Sequence, residues 1–252
     1  MIELTLIGIG TGNPDHLTLQ GIAAMRGADL ILIPLKGADK SDLAGLRRLI
    51  CDRHAGPGAR IAEFDLPLRD AADPDYRRGV DAWHDAVAAA WEGRIRADLP
   101  GGAGRVALLV WGDPSLYDSS LRIADRLARR LPLGVRVIPG ITAIQALCAA
   151  HAVPLNAVGA PVTITTGRRL RDHGWPPGAD RIVAMLDGGC AFRTLDPAGI
   201  RIWWGAFVGM EQEILDRGPL AEAGPRIVAR RAEARAEHGW IMDIYLLERD
   251  PA

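Results

Sequence analysis

The chain has 252 residues, of which 48% are hydrophobic and 24% are charged, and its 30 basic residues nearly balance its 31 acidic ones. This hydrophobic fraction excludes a disordered chain, and the balanced charge argues against a general nucleic-acid binder, which would carry a large basic excess. All basic residues except Lys36 and Lys40 are arginines, so the positive charge is in the form that binds carboxylates with two parallel hydrogen bonds.

Several classes of protein are not indicated. No apolar run reaches the ~18–20 residues that span a bilayer, and the first three residues lack the basic start of a signal peptide. Cys51, Cys148 and Cys190 are widely spaced, which is typical of reduced structural thiols in a cytoplasmic protein. The six histidines form no pair at metal-ligand spacing, so we expect no metal, no membrane and no nucleic-acid partner.

The first 138 residues alternate strand-like and helix-like segments, which predicts an N-terminal domain with a parallel sheet and flanking helices. Strands are predicted over residues 2–9, 30–33, 60–64, 106–110 and 135–138. Helices are predicted over residues 17–27, 42–54, 76–99 and 116–131. We expect Pro34 to close the second strand and Ser41 to cap the second helix.

Shorter segments follow, which predicts a C-terminal mixed α/β domain over residues 139–252. A helix is expected over residues 141–152, and strands over residues 162–165, 181–186, 201–208 and 241–247. A helix or hairpin lies between the last two strands. The fold class is therefore α/β with two domains, and a cleft between them is the expected active site.

Three glycine-rich turns each follow a predicted strand, at residues 8–14, 111–117 and 138–143. Ligands of open parallel sheets bind beyond the carboxyl ends of the strands, so these turns lie where a site is expected. The first turn does not match the dinucleotide-binding pattern, because its third glycine comes one residue early and no acid ends the second strand. A ligand-free turn remains an alternative for it, as does a helix cap for Asp113.

The three turns, in this order, resemble the signatures of the tetrapyrrole (corrin/porphyrin) methyltransferases, which use S-adenosylmethionine. The family pattern V-G-x-G-P-G-D-P-x-x-L-T is similar to residues 7–18. The pattern G-G-D-P-x-x-[YF] is similar to residues 111–117, and V-x-P-G-[IV]-[ST]-[AS] to residues 137–143. The resemblance covers the whole chain and implies the two-domain fold of this family with its site in the cleft.

Three departures from the pattern indicate a subfamily other than the uroporphyrinogen methyltransferases. Thr11 replaces a proline, Asn13 an acid and Trp111 a small residue. Together with the closing residues 239–245, the resemblance implies methylation of precorrin-5 at C1 in cobalamin biosynthesis, with loss of an acetyl group as acetate. Other precorrin or uroporphyrinogen methyltransferases, diphthine synthase and a ribosomal-RNA methyltransferase are alternatives within the fold. A nicotinamide-dependent reductase is the alternative from another class.

The resemblance also implies a homodimer and a set of residues around the methyl donor, whose product is S-adenosylhomocysteine. For Met185 and Leu186 the alternative is ordinary core packing. The residues that the resemblance assigns to donor binding are Thr11, Trp111, Gly112, Asp113, Leu116, Thr142, Ala143, Met185, Leu186, Gly209 and Ile241.

Loss of an acetyl group requires a base for water and a donor for the developing oxyanion. The candidates are Asp15, His16, Tyr117 and Asp243, and no spacing separates them. A precorrin carries many carboxylates, so its pocket needs cations. We expect the predicted loop with Arg168, Arg169 and Arg171 to bind substrate. The helical pairs at residues 47–48, 77–78 and 129–130 are expected to form solvated faces.

Overall fold

The computed structural model describes residues 1–35, 41–69 and 75–249, without the side chains of residues 41–43 and 76. The side chain of Ser41, the predicted cap, therefore lies outside the described residues. The chain divides into two compact units, Met1–Ile141 and Thr142–Ala252, here called the N-terminal and the C-terminal unit. The predicted domain boundary lies three residues before this division.

The N-terminal unit is built on five parallel strands in the order β3-β2-β4-β1-β5, which confirms the predicted parallel sheet. The strands are β1 (Ile2–Gly8), β2 (Leu30–Leu35), β3 (Arg60–Asp65), β4 (Gly104–Val110) and β5 (Leu133–Ile138). The expectation that Pro34 closes β2 is wrong, because Pro34 still pairs with Phe64 of β3. Proline fits there since β2 pairs with β4 only over residues 30–32, so no ladder bond on that side needs its missing N–H.

Helices cover both faces of this sheet, which explains its continuously apolar strands. They are α1 (Leu19–Arg26), α2 (Ser41–His54), α3 (Tyr76–Asp98) and α4 (Ser120–Leu127). Side chains of β1 alternate between two cores. Leu6 packs in one core with Trp91 of α3, and Ile7 packs in the other with Ile50 of α2. The two-residue period of a strand thus ties the sheet to two helix layers.

The fourth helix is shorter than the predicted 116–131. Tyr117 has a φ of 49°, in the left-handed region, so the chain is not helical there. The carboxylate of Asp118 then accepts the N–H of Ser120 at 2.6 Å, and the helix begins at Ser120.

The C-terminal unit holds a mixed sheet in the order β6-β7-β10-β8-β9, as predicted. Only the β6–β7 pair among these is parallel. The undecided region after β8 contains both a strand and a helix. The elements are α5 (Ala143–His151), β6 (Thr163–Thr166), α6 (Gly167–His173), β7 (Arg181–Met185), β8 (Ile200–Ala206), β9 (Ile214–Pro219), α7 (Leu220–His238) and β10 (Asp243–Arg249).

Candidate functional site

The three glycine-rich turns meet at the carboxyl edge of the N-terminal sheet, because β4, β1 and β5 are neighbours. Gly8, Gly112 and Gly140, here called the glycine junction, touch through their backbones. A Cβ on Gly140 would lie 2.2 Å from the carbonyl oxygen of Gly112 and 2.7 Å from Cα of Gly8. A Cβ on Gly8 would lie 2.5 Å from the nitrogen of Gly140. Only glycine allows the turns to approach this closely.

The backbone of the second turn at Gly112 has free space beside it. Its Gly112 N–H donates to the carbonyl of Gly10 at 2.8 Å, which fixes the first and second turns to each other. Gly112 has a φ of 66°, and a Cβ on it would meet no described heavy atom within 4 Å. A ligand can therefore lie directly against the peptide backbone at this point.

Asp113 joins the second turn to the third. Its Oδ1 accepts the N–H of Ser115 at 2.8 Å and the Ser115 hydroxyl at 2.5 Å. Its Oδ2 accepts the N–H of Gly140 at 2.8 Å. Burial by itself would raise the pKa of Asp113, but these hydrogen bonds outweigh it and hold the pKa below the usual range. The α-helix cap alternative is wrong, since the next α-helix begins only at Ser120.

A buried arginine lies beneath the second turn. Nε of Arg47 donates to the carbonyl of Leu109 at 3.0 Å, and Arg47 is buried. Burial lowers the pKa of Arg47 to about 10, partly offset by Asp118. The expectation of a solvated face is wrong for this residue. The helical spacing puts Arg47 on the same face as Ile50 and Cys51, and this spacing is the feature of the sequence that predicts its burial.

The first turn and the 3₁₀ turn after it contain two buried polar atoms for which the described residues provide no hydrogen-bond partner. They are Oγ1 of Thr11 and Nδ1 of His16. His16 packs against Gly10, where a Cβ would lie 2.8 Å from Cβ of His16. Asn13 caps the single 3₁₀ turn Pro14–His16, since its Oδ1 accepts the N–H of Asp15 at 2.9 Å. Buried polar atoms are rarely unsatisfied, so this pair indicates a polar ligand or water at the first turn.

The structure separates the four candidate bases. Asp15 is exposed, and Tyr117 is 46% exposed on its left-handed turn. The carboxylate of Asp243 accepts from Nε of Arg231 and from Nε1 of Trp204, both at 2.9 Å, and is therefore engaged in the C-terminal unit. The buried nitrogen of His16 distinguishes it from the other three. The assignment of a base stays a prediction.

In the C-terminal unit, four of the donor-binding candidates, Met185, Leu186, Gly209 and Ile241, lie at one edge of the sheet. Met185 ends β7, Ile241 precedes β10 and Gly209 follows β8, and these three strands are neighbours. The Gly209 N–H donates a hydrogen bond to Oε2 of Glu213 at 2.8 Å. Thr142 caps α5, whose first residue is Ala143, by accepting the N–H of Ile144 at 3.2 Å.

Leu186 is 66% exposed with a φ of 53°, so the core-packing alternative is wrong for it. A bulky apolar side chain held open on a left-handed residue costs free energy, and such strain concentrates at binding sites. Met185 is half-buried.

A network that sequence reasoning missed holds this segment in place. Oδ2 of Asp187 accepts the hydroxyl of Tyr245 at 2.7 Å and the N–H of Ala191 at 2.6 Å. Burial and the Asp187 carboxylate raise the pKa of Tyr245 well above its usual range, so the hydroxyl remains a donor. A Cβ on Gly167 would lie 2.3 Å from Cγ of Asp187, so Asp187 also packs against the start of α6.

The predicted arginine loop is a helix. Three exposed residues of α6 are Arg168, Arg169 and Arg171. Thr166 caps the start of this helix, because its Oγ1 accepts the N–H of Arg169 at 3.3 Å. Nε of Arg171 pairs with Asp172 at 3.1 Å. Because β6 is parallel to β7 and Thr166 pairs with Met185, the arginines begin at the same edge as Met185.

The cysteines and the possible metal ligands provide no further candidate site among the described residues. All three cysteines are free, and burial raises the pKa of Cys51 to about 11, which disfavours its thiolate. Over the described ranges, no group of three His, Cys, Asp or Glu side chains is placed to hold a metal ion. Within the same ranges no helix is both long and apolar enough to cross a membrane.

The sequence model of the Tetrapyrrole (Corrin/Porphyrin) Methylases matches residues 3–224, so the chain belongs to this family, as predicted. It is 47% identical to the precorrin-6A synthase [deacetylating] of Sinorhizobium sp, over 99% of this chain and 96% of that one. A precorrin-2 C(20)-methyltransferase of the same source is 32% identical, over 92% and 91% of the two chains. Membership in a methylase family sets the reductase alternative aside.

A solved structure agrees with this placement. The putative cobalamin synthesis related protein (CobF) from Corynebacterium diphtheriae matches with a TM-score of 0.85 and 42% identity, over 99% of both chains.

Proposed function

We propose that the chain is an S-adenosylmethionine-dependent C-methyltransferase of cobalamin biosynthesis that methylates precorrin-5 at C1 and releases acetate, giving precorrin-6A. The observation that carries the proposal is the 47% identity to the deacetylating synthase over nearly the full length of both chains. The identity to the C(20)-methyltransferase is lower, at 32%. Another precorrin or uroporphyrinogen methyltransferase is the alternative.

S-adenosylmethionine supplies the methyl group when it is bound. The residues of the N-terminal unit fit such a ligand, because Gly112 offers open backbone and Thr11 a buried hydroxyl without a described partner. The carboxylate of Asp113 already accepts three hydrogen bonds, so its role is to position the second and third turns against the donor. In the C-terminal unit, Leu186 offers an exposed apolar surface for the donor.

The reaction balances with water as the second co-substrate. Water adds to the acetyl carbonyl carbon, and the bond between that carbon and C1 breaks, leaving its electron pair on the macrocycle. C1 then takes the methyl group, and acetate and S-adenosylhomocysteine leave. A protein base takes the proton from water, and we assign this role to His16 because its buried Nδ1 lacks a described partner.

The remaining parts of the proposal follow from the family. Arg168, Arg169 and Arg171 bind carboxylates of the tetrapyrrole, supported by their exposure on α6. The protein acts in the cytoplasm as a homodimer. The three free cysteines support a reducing compartment.

The test incubates the purified chain with precorrin-5 and S-adenosylmethionine labelled in its methyl group. Equal amounts of incorporated methyl and released acetate are expected. Methyl incorporation without acetate would favour the alternative, and neither product would contradict the proposed function. His16→Gln is expected to slow acetate release at least about 100-fold, with S-adenosylhomocysteine binding unchanged. Asp15→Asn, on the same turn, is the matched control. Full acetate release by His16→Gln would refute the role of His16 and leave the function standing.

A further inference from the structure

A cavity of about 410 Å³ lies on the C-terminal unit, away from the edge that carries Met185. Arg201 and Trp203 of β8, Arg217 and Gly218 of β9, and Val153 line it. Its volume is in the range of small-molecule sites. The sequence motifs and the proposed function account for none of these residues.

The strand register places the three large side chains on one face of the sheet. Trp203 is directly opposite Arg217, and Arg201 precedes Trp203 by two residues on β8. Since side chains alternate along a strand, all three project to the same side. Arg201 and Arg217 are then diagonal neighbours, with backbones about 7–8 Å apart. Arg201 and Arg217 are therefore both neighbours of Trp203 on this face of the sheet.

The nearby carboxylates are already bound by other arginines. Glu248 is opposite Arg201 on β10, but its Oε1 pairs with NH2 of Arg181 at 2.5 Å. Asp216 adjoins Arg217, but its carboxylate pairs with NH2 of Arg226 at 2.9 Å. Both carboxylates thus form their ion pairs with arginines that do not line the cavity.

Neither lining arginine forms an ion pair with a carboxylate among the described residues. Across residues 1–35, 41–69 and 75–249, the guanidinium of Arg201 has no hydrogen-bond or ion-pair partner. The guanidinium of Arg217 donates to a neutral group, the carbonyl of His151, at 3.3 Å. A concave site lined by two cations that have no carboxylate partner among the described residues attracts anions.

We propose that this cavity binds a planar organic anion that carries two carboxylate or phosphate groups. Its ring lies against the indole of Trp203, and its anionic groups pair with Arg201 and Arg217. The planar guanidinium matches carboxylate and phosphate oxygens with two parallel hydrogen bonds, and an indole favours a stacked ring.

This site is separate from the one that holds the methyl donor in the proposed function. Arg201 lies near the start of β8, whereas Gly209 follows the end of that strand at Ala206. At about 3.3 Å per residue, the strand between Arg201 and Ala206 spans about 17 Å. The cavity is therefore a second ligand site.

The test measures binding by isothermal titration calorimetry with two probes, benzene-1,3,5-tricarboxylate and uridine diphosphate. Both titrations contain saturating S-adenosylhomocysteine, which blocks the donor site. The wild-type chain is expected to bind at least one probe with a Kd below about 1 mM. Arg201→Gln and Arg217→Gln are each expected to weaken binding about tenfold, the loss of one charge-assisted contact.

Arg235→Gln is the matched control, because Arg235 is an exposed arginine of α7 and the same charge is removed. The affinity of the Arg235→Gln variant for the probes is expected to stay within about twofold of the wild-type affinity. Trp203→Leu is expected to weaken binding while S-adenosylhomocysteine affinity stays unchanged, which reports the ring contact in a folded chain.

The two probes identify the source of the anion. Binding of the tricarboxylate alone supports a carboxylate ligand, and binding of the nucleotide alone supports a phosphate ligand. Binding of both probes supports a site that accepts either kind of anion. Binding of neither probe would overturn the proposal, as would wild-type affinity in both arginine variants. Because no probe reports methyl transfer, these outcomes are independent of the proposed function.

Discussion

Replacing Gly140 with alanine tests whether the glycine junction holds the site together. The new Cβ would lie 2.2 Å from the carbonyl oxygen of Gly112, whereas ordinary contacts begin at 3.4 Å. It would also lie 2.7 Å from Cα of Gly8. Both are backbone atoms, one in the turn after β4 and one at the end of β1, and neither can rotate away. The turns must therefore separate by about 1 Å to restore normal contacts.

The cost of this separation has two parts. Overpacking of a tight site costs about 1–3 kcal/mol. The hydrogen bond from the Gly140 N–H to Oδ2 of Asp113 is 2.8 Å long, and a further 1 Å would take it beyond a normal hydrogen bond. Losing a hydrogen bond to a charged group costs about 1.5–3 kcal/mol. Because the turns relax together, we expect a total loss of about 2–4 kcal/mol in the free energy of unfolding.

Binding should weaken as well, since a shift of about 1 Å displaces the backbone that faces the donor. Urea unfolding followed by circular dichroism gives the stability, and titration with S-adenosylhomocysteine gives an affinity expected to fall at least about tenfold. Gly134→Ala, on the strand that leads into the third turn, is the control, because its Cβ would meet its nearest atom at 3.9 Å. A Gly140→Ala chain with the stability and affinity of the control would refute the reasoning.

Two further substitutions test single side chains. Asp113→Asn should lower stability by about 1.5–3 kcal/mol and S-adenosylhomocysteine affinity about tenfold, measured by urea unfolding and calorimetry. Since the folded pKa of Asp113 is lowered from 3.8, the stability difference from wild type should be constant above pH 5 and shrink towards pH 3; a difference that does not shrink would contradict this. His84 is buried and the described residues give neither ring nitrogen a partner, so His84→Met should raise stability by about 1 kcal/mol in thermal unfolding. Burial, with Arg126, lowers the pKa of His84, so this gain should be larger at pH 5.5 than at pH 8; a destabilised variant at both pH values would rule it out.

Local pattern was enough to predict the N-terminal sheet and four of the five strands described in the C-terminal sheet, all except β9. The continuously apolar residues 106–110 form the central strand β4, and Val80, Val87 and Trp91 share the buried face of α3. Such periodicity depends only on neighbours along the chain. The helix predicted at residue 116 was wrong because Tyr117 adopts a left-handed conformation, which its side-chain type does not signal.

The candidate site depended on contacts that local pattern does not contain. The charge of Arg47 predicts a solvated face, although its helical position puts it on the same face as the buried Ile50. Nothing near Asp187 in the sequence predicts its role, because its partner Tyr245 lies 58 residues away. Resemblance to a family indicated the three turns that meet at the edge of the N-terminal sheet, but not which atoms in them are paired.

Asp113 shows why strand order decides the chemistry of this site. In sequence, an acid followed by proline and serine is typical of a helix cap, and no residue near it suggests another partner. In the sheet, β4 and β5 flank β1, so a contact between their turns must pass over the end of β1. That strand ends in Gly8, and the missing side chain leaves the room in which the carboxylate of Asp113 reaches the N–H of Gly140. All three glycines are therefore needed together. The second and third turns touch over the end of β1 only because no side chain at Gly8, Gly112 or Gly140 keeps them apart.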